Sequence, residues 1–318
     1  MKSGIISLGE ALIDFIPMDE TNSSYHKSPG GAPANVAVGA ARLGAESHFV
    51  GKVGNDVLGR FLKETLDQYG VHTASLQLTD DVRTGVVFVT LGKDGERSFD
   101  FYINPSADRF LTPDELDASL FDKSKVLHFG SISMISEPSK SATIKAVELA
   151  HKNGLIVSYD PNLRLGLWES PEQARETIVL MLDQADVLKI SEEELEFLTG
   201  LSDIQKGVEV LQQYEIPVIL VTLGSEGSYI FTKEGHAHVQ AMKVEAVDTT
   251  GAGDAYVSGV LYALNEYDGN IADLSLEGAK EMARFASVSG ALAASTKGAM
   301  TALPTIDEVK RYLEKFEG

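Results

Sequence analysis

The segment Asp248-Thr-Thr-Gly-Ala-Gly-Asp254 sets small residues at the start of a helical run expected over Ala252 to Asn265. Glycines let backbone N–H groups come close to an anion. A helix N-terminus adds unpaired N–H groups and a partial positive charge. Gly251, Ala252 and Gly253 therefore form a candidate anion hole, with Asp254 in the first helical turn beside it. A carboxylate there can take the proton of an attacking hydroxyl while the hole holds a transferring phosphoryl group. The same residues also fit a plain turn whose aspartate complements the helix dipole, so this segment taken alone leaves both readings open.

Four other segments have residue types suited to a polar ligand. In Pro29-Gly-Gly-Ala-Pro-Ala-Asn35, Gly30 and Gly31 permit a backbone turn close to a ligand. Asn35 can both donate to and accept from hydroxyls. Asp160-Pro-Asn-Leu-Arg164 follows a β-rich run, where Arg164 can meet substrate or phosphoryl charge. Lys189-Ile-Ser191-Glu-Glu-Glu194 ends another such run, and Ser191 with Glu194 spells a capping box at a helix start. Val221-Thr222-Leu-Gly224-Ser-Glu-Gly227 follows a third, and reads equally as a glycine turn between strands.

The elements that must position these residues alternate. Strands are expected at Ile5 to Leu8, His48 to Gly51, Lys125 to Phe129, Leu155 to Tyr159, Val187 to Ile190 and Pro217 to Thr222. Helices are expected at Asn35 to Leu43, Leu58 to Tyr69, Ser139 to Lys152, Pro171 to Gln184 and Ile204 to Tyr214, and mostly helix follows Asp248. Alternation of this kind predicts a mainly parallel sheet covered by helices, with ligands at the carboxyl ends of the strands. One region breaks the pattern: Thr84 to Gly92 and Glu96 to Ile103 flank Lys93-Asp-Gly95, a hairpin signal. With Ala11 to Met18 as a partner, it predicts a small β-sheet lid formed by about residues 11–28 and 83–106.

Composition narrows the chemistry. The chain of 318 residues contains no cysteine, which excludes a disulfide scaffold, a thiolate metal site and a cysteine nucleophile. Its net charge of -20 disfavours nucleic acid and anionic lipid as partners, so an anionic ligand must be attracted locally. There is no G-x-x-x-x-G-K-[ST] loop and no G-x-G-x-x-G after the first strand. The N-terminus lacks a signal-peptide pattern and no stretch of 18 apolar residues occurs, so a cytoplasmic protein is expected.

The stretch around Asp254 resembles the C-terminal signature of the PfkB (ribokinase-like) carbohydrate kinases, and Pro29 to Gly44 resembles their N-terminal signature. The resemblance covers essentially the whole chain. It implies a single three-layer α/β/α ribokinase-like domain with a β lid, and phosphoryl transfer from Mg2+-ATP to a sugar hydroxyl. It makes Asp254 the general base. Asp14, Gly30, Gly31, Asn35 and Arg164 become sugar-binding residues. Lys189, Ser191, Glu194, Thr222, Gly224, Gly227, Gly251 and Gly253 line the nucleotide site. Glu194 would act on magnesium indirectly, and Asp248, Thr250 and the Lys297-Gly298-Ala299 stretch resemble a potassium site. A homodimer through the lid is also implied.

Within the resemblance, Asp160-Pro-Asn-Leu-Arg164 and the lid segment Glu96 to Asp108, with Phe101 and Asn104, are closest to fructokinases. Ile103 stands where those often have arginine, and removes a charge that would attract the acid of 2-keto-3-deoxygluconate. Fructose is therefore the expected substrate. A 2-keto-3-deoxygluconate kinase or another PfkB sugar or nucleoside kinase is the alternative. A sugar- or nucleotide-binding regulator without turnover is the reading from a different class.

Overall fold

The structure, a computed structural model, describes residues 2–91 and 97–316. Thirteen strands are seen among them: β1 (Ile5–Leu8), β2 (Leu12–Pro17), β3 (Tyr25–Gly30), β4 (Ser47–Gly54), β5 (Leu76–Thr79), β6 (Gly85–Leu91), β7 (Arg97–Phe101), β8 (Val126–Phe129), β9 (Ile156–Tyr159), β10 (Val187–Ser191), β11 (Val218–Thr222), β12 (Ser228–Thr232) and β13 (Gly235–Val239). The helices are α1 (Ala32–Arg42), α2 (Val57–Gln68), α3 (Ala118–Lys123), α4 (Ser139–Asn153), α5 (Pro171–Val179), α6 (Glu192–Thr199), α7 (Ile204–Leu211), α8 (Ala252–Glu266), α9 (Leu276–Ala294) and α10 (Ile306–Phe316).

Nine strands form the main sheet in the order β13-β12-β11-β10-β9-β8-β1-β4-β5. All are parallel except the β12 and β13 edge, which returns antiparallel. Strand β11 shows why the sheet must be covered on both faces. Its Ile219 and Val221 belong to one apolar cluster with residues of α4, α6 and α7, whereas Val218 and Leu220 belong to another with α1, α8 and α9. Side chains alternate across a strand, so burying both sets requires helices on both sides. The predicted α/β/α architecture is present, and Asp160, Ser191 and Thr222 stand at the carboxyl ends of β9, β10 and β11.

The second sheet has the order β3-β2-β6-β7. Strand β2 runs parallel to β6 and antiparallel to β3. Its alternation splits its side chains. Ile13 is fully buried in a cluster shared with Leu62 and Leu66 of α2, and Leu12 and Asp14 face the cleft. The expected lid is thus present, with β3 as a strand the pattern did not single out. The Lys93-Asp-Gly95 turn lies outside the described residues.

Three helix boundaries differ from expectation, the run Ile204 to Tyr214 ending as α7 at Leu211 with a 3-10 turn after it. Helix α1 starts at Ala32 rather than Asn35, because Pro33 suits a first turn and Gly31 adopts φ 101 before it. The run Pro171 to Gln184 divides into α5 and a short 3-10 turn, which buries Leu182 while Leu180 stays exposed. No helix among the described residues is long and apolar enough to cross a membrane.

Candidate active site

A cleft of about 420 Å³ opens between the lid and the carboxyl edge of the main sheet. Asp14, Gly31, Asn35, Phe101, Arg164, Lys189, Gly251, Gly253 and Asp254 all line it, drawn from segments that lie far apart in the chain.

Asp254 sits in the first turn of α8, where Gly251 takes the left-handed conformation at φ 81 and serves as N-cap without a side chain. Ala252 N donates to Thr249 O at 3.2 Å, and the N–H groups that follow it, of Gly253 and Asp254, fall in the first turn, where a helix supplies no acceptors of its own. Across the cleft, Asn35 in the first turns of α1 is buried and its Nδ2 donates to Asp254 Oδ2 at 2.7 Å. Asn35 Oδ1 is buried and has no hydrogen-bond partner. Burial pushes the Asp254 carboxyl up to about 6; the Asn35 hydrogen bond pulls it back, Asp160 raises it, and Arg164 and Lys189 lower it. It is ionised at neutral pH and close enough to its pKa to exchange a proton readily.

Asp14 faces the same space from β2. Burial and then the charge of Asp254 push it up to about 7, with Arg164 opposing. A Cβ on Gly30, paired across the sheet, would overlap the Asp14 carboxylate, so the glycine is what lets this side chain lie against the backbone turn. Arg164 is exposed and borders the cleft and an adjoining cavity of about 430 Å³.

That adjoining cavity is lined by Lys189, Ser191 and Glu194. Lys189 Nζ forms a buried ion pair with Asp160 Oδ2 at 3.1 Å. Burial acts to lower the Lys189 ammonium, yet Asp160, Glu194 and Asp254 together hold it above its ordinary value. Glu194 Oε1 accepts from Leu163 N at 2.7 Å and its Oε2 from Ser191 N at 2.8 Å. The capping box read from sequence is real, and the same carboxylate also holds the loop that carries Arg164.

Thr222 ends β11 in register with Ser191, and Gly224 and Gly227 form the turn into β12. They continue the same sheet edge but do not line the cleft. Asp248 Oδ1 accepts from Thr250 N at 3.0 Å and Oδ2 from Gly298 N at 3.1 Å, joining the two loops expected to hold potassium. Among the described residues no group of three or more His, Asp or Glu side chains is placed to hold a metal by itself.

Ile103 and Asn104 lie past the end of β7 and are not among the residues lining the cleft; Val87, Phe99 and Phe101 supply the lid wall instead. Residue spacing along the chain could not tell which side of the lid each would face. Of the titratable residues lining the cleft, Glu10 and Asp160 were given no role from the sequence. Asp160 directly follows β9 and Glu10 comes two residues after β1, and that position was their available signal.

Residues 2–306 match the pfkB family carbohydrate kinase. A curated relative, probable fructokinase-2 of Arabidopsis thaliana, is 44% identical over 319 residues, spanning 98% of this chain and 96% of the relative. The crystal structure of a fructokinase from Vibrio cholerae, in fructose, ADP and calcium ion bound form, superposes with a TM-score of 0.90 at 39% identity, covering 98% of this chain and 99% of that one. An aminoimidazole riboside kinase from Salmonella enterica, complexed with aminoimidazole riboside and an ATP analog, gives 0.88 at 33% identity, with 98% and 99% covered.

Proposed function

This chain belongs to the pfkB family of carbohydrate kinases, and on that premise we propose that it phosphorylates fructose at the 6-hydroxyl, with Asp254 as general base. The observation that carries the reading is the convergence of Asp254, Asn35 and the α8 N-terminus on one cleft beneath the lid. The sugar oxygen attacks the γ-phosphorus of ATP as its proton passes to Asp254. The new O–P bond forms as the bond to the β-phosphate breaks, and ADP leaves. The N–H groups of the Gly251 to Asp254 turn stabilise charge on the transferring group. Asp14, Gly30, Gly31, Asn35 and Arg164 orient the sugar, and Phe101 of the lid helps exclude water.

Lys189, Ser191, Glu194, Thr222, Gly224 and Gly227 are proposed to line the path of the nucleotide. Magnesium bound with ATP would supply charge neutralisation at the phosphates, and Glu194 would relate to it through water, both its oxygens already accepting backbone N–H groups. Asp248 and Thr250 would hold potassium and so order the loop before α8. We place the enzyme in the cytoplasm, a reading supported by the lack of cysteine. A homodimer through the lid is supported by its exposed apolar surface, Tyr102 at 76% and Met18 at 70% exposure, and is tested by light scattering.

A coupled ADP assay over fructose, other hexoses, ribose, 2-keto-3-deoxygluconate and nucleosides, with Mg2+-ATP, tests the substrate. Fructose is expected to give the highest kcat/KM. A second reading, a riboside kinase, draws on the likeness to the aminoimidazole riboside kinase. Preference for a riboside in the same assay would replace fructose with it.

A further inference from the structure

Helix α1 begins on a residue that cannot cap it. Gly31 has no side chain, and no residue of the helix's own N-terminus supplies a cap. The first N–H groups of a helix need acceptors. One comes from elsewhere: Glu10 Oε1 accepts from Ala32 N at 3.2 Å. Glu10 follows β1 and is only 3% exposed, yet it borders both the cleft and a small enclosed cavity beside Asp254.

The contacts around it are close. A Cβ on Gly31 would lie 2.5 Å from the Glu10 carbonyl oxygen. Ser7 Oγ donates to Pro33 O at 2.7 Å. The junction between β1 and β2 is therefore packed against the turn that starts α1. That turn determines where Asn35 stands, and Asn35 holds Asp254. The lid's return path arrives at the same place. Asp108 and Arg109, both buried, follow β7 and form an ion pair at 3.7 Å, and Glu10 feels the charge of both. Two chain crossings between lid and body thus pack together at Glu10, and a third brings charges that its carboxyl group feels.

We propose that Glu10 is a positioning residue that caps α1 from the β1–β2 junction, holding the Gly30–Gly31 turn and Asn35 in register with Asp254 as the lid closes on the sugar. It rests on the kinase reading for its effect on turnover, although the capping role belongs to the free protein as well. Burial pushes the carboxyl up to about 8, with Asp108 and Asp254 adding to the rise and backbone N–H groups opposing it. Other charged or titratable groups around the two cavities are Asp14 on β2, His128 on β8, Asp160 and Arg164 after β9, and Lys189 on β10. Neutral Glu10 keeps the cap without adding charge to this largely acidic group. Ionised Glu10 places a further negative charge near Asp254 and Asp108.

Two variants and two readouts test the role. Glu10→Ala is expected to raise the sugar KM about tenfold with little change in the KM for ATP, and Glu10→Gln, which keeps an acceptor of the same length, to recover most of that loss. The wild-type sugar KM should rise above about pH 8, and Glu10→Gln should lack that rise. In the free proteins, hydrogen–deuterium exchange should speed up in the first turns of α1 for Glu10→Ala and not for Glu10→Gln. Unchanged exchange at α1 in Glu10→Ala, or a Glu10→Gln variant as impaired as Glu10→Ala, overturns the proposal. If the wild-type protein phosphorylates nothing in the panel, the kinase reading fails, and the exchange result still decides the role of Glu10.

Discussion

Asn35 and Asp254 lie 219 residues apart in the chain, and the amide of the first donates to the carboxylate of the second at 2.7 Å. Each stands in the opening turns of its own helix. The bond therefore ties together the two helix starts that face the cleft, and it opposes the rise that burial imposes on the carboxyl of the proposed base.

Asp254→Asn leaves the geometry nearly unchanged but cannot accept the proton. Removal of a general base costs roughly 10²–10⁴-fold in rate. The expected outcome is a kcat lower by that factor in the ADP-coupled assay, with sugar binding retained by calorimetry. Undiminished turnover would remove Asp254 from the base role.

The pH dependence follows from the same carboxyl. With a pKa of about 6, Asp254 is ionised and able to act as base only above that value, so kcat should fall as pH drops through 6. Asn35→Asp replaces the donated hydrogen bond with a like charge, which disfavours ionisation of Asp254. The acid limb of the kcat profile should move up by a pH unit or more. An unmoved limb would show that another group controls it.

Stability should respond in the opposite direction. Glu10, Asp14 and Asp254 have folded-state values of about 8, 7 and 6, above their ordinary 4.5, 3.8 and 3.8. Between roughly pH 5 and 8 the folded chain binds more of these protons than the unfolded chain, so stability falls as pH rises through the window. Thermal unfolding of the ligand-free protein should give a lower Tm at pH 8 than at pH 6. Glu10→Gln should flatten the upper part of that slope.

Two glycines separate fold from chemistry. Gly31→Ala forces a side chain into φ 101, against the Glu10 carbonyl, and should destabilise by about 1–3 kcal/mol in urea titration. Gly253→Ala meets no protein atom within 4 Å, so it should fold as well as the parent. Its methyl group would project where the phosphoryl group is held, and kcat should drop at least about tenfold. Equal effects of both substitutions on stability would contradict this division.

The Lys189–Asp160 pair is buried, with the side chains 12% and 5% exposed. Lys189→Met leaves Asp160 as a buried charge without its partner, which typically costs about 3–5 kcal/mol. Chemical denaturation of the ligand-free protein measures it. A variant as stable as the parent would mean that the pair contributes through nucleotide binding alone.

The sequence was most legible where local chemistry decides the outcome. Small residues before Asp254 dictated an uncapped helix start, and Ser191 with Glu194 dictated a capping box. Alternating apolar runs dictated a covered parallel sheet. Less was legible where the answer depends on which face of a strand meets which neighbour. Ile103 looked decisive for substrate choice, but it follows the last lid strand and does not line the cleft, whereas Val87, Phe99 and Phe101 do.

By itself, then, the chain determined the central parallel strands and most of the long helices, its two signature turns and the residue types able to bind a sugar and a phosphoryl group. Only the tertiary structure decided that Glu194 engages both its oxygens with backbone N–H groups, that Lys189 pairs with Asp160, and that Glu10 caps a helix it does not belong to. The physical reason is range. Helix starts and strand alternation depend on residues a few positions apart. The charge of a buried carboxyl depends on burial and on partners brought to it from other segments of the fold.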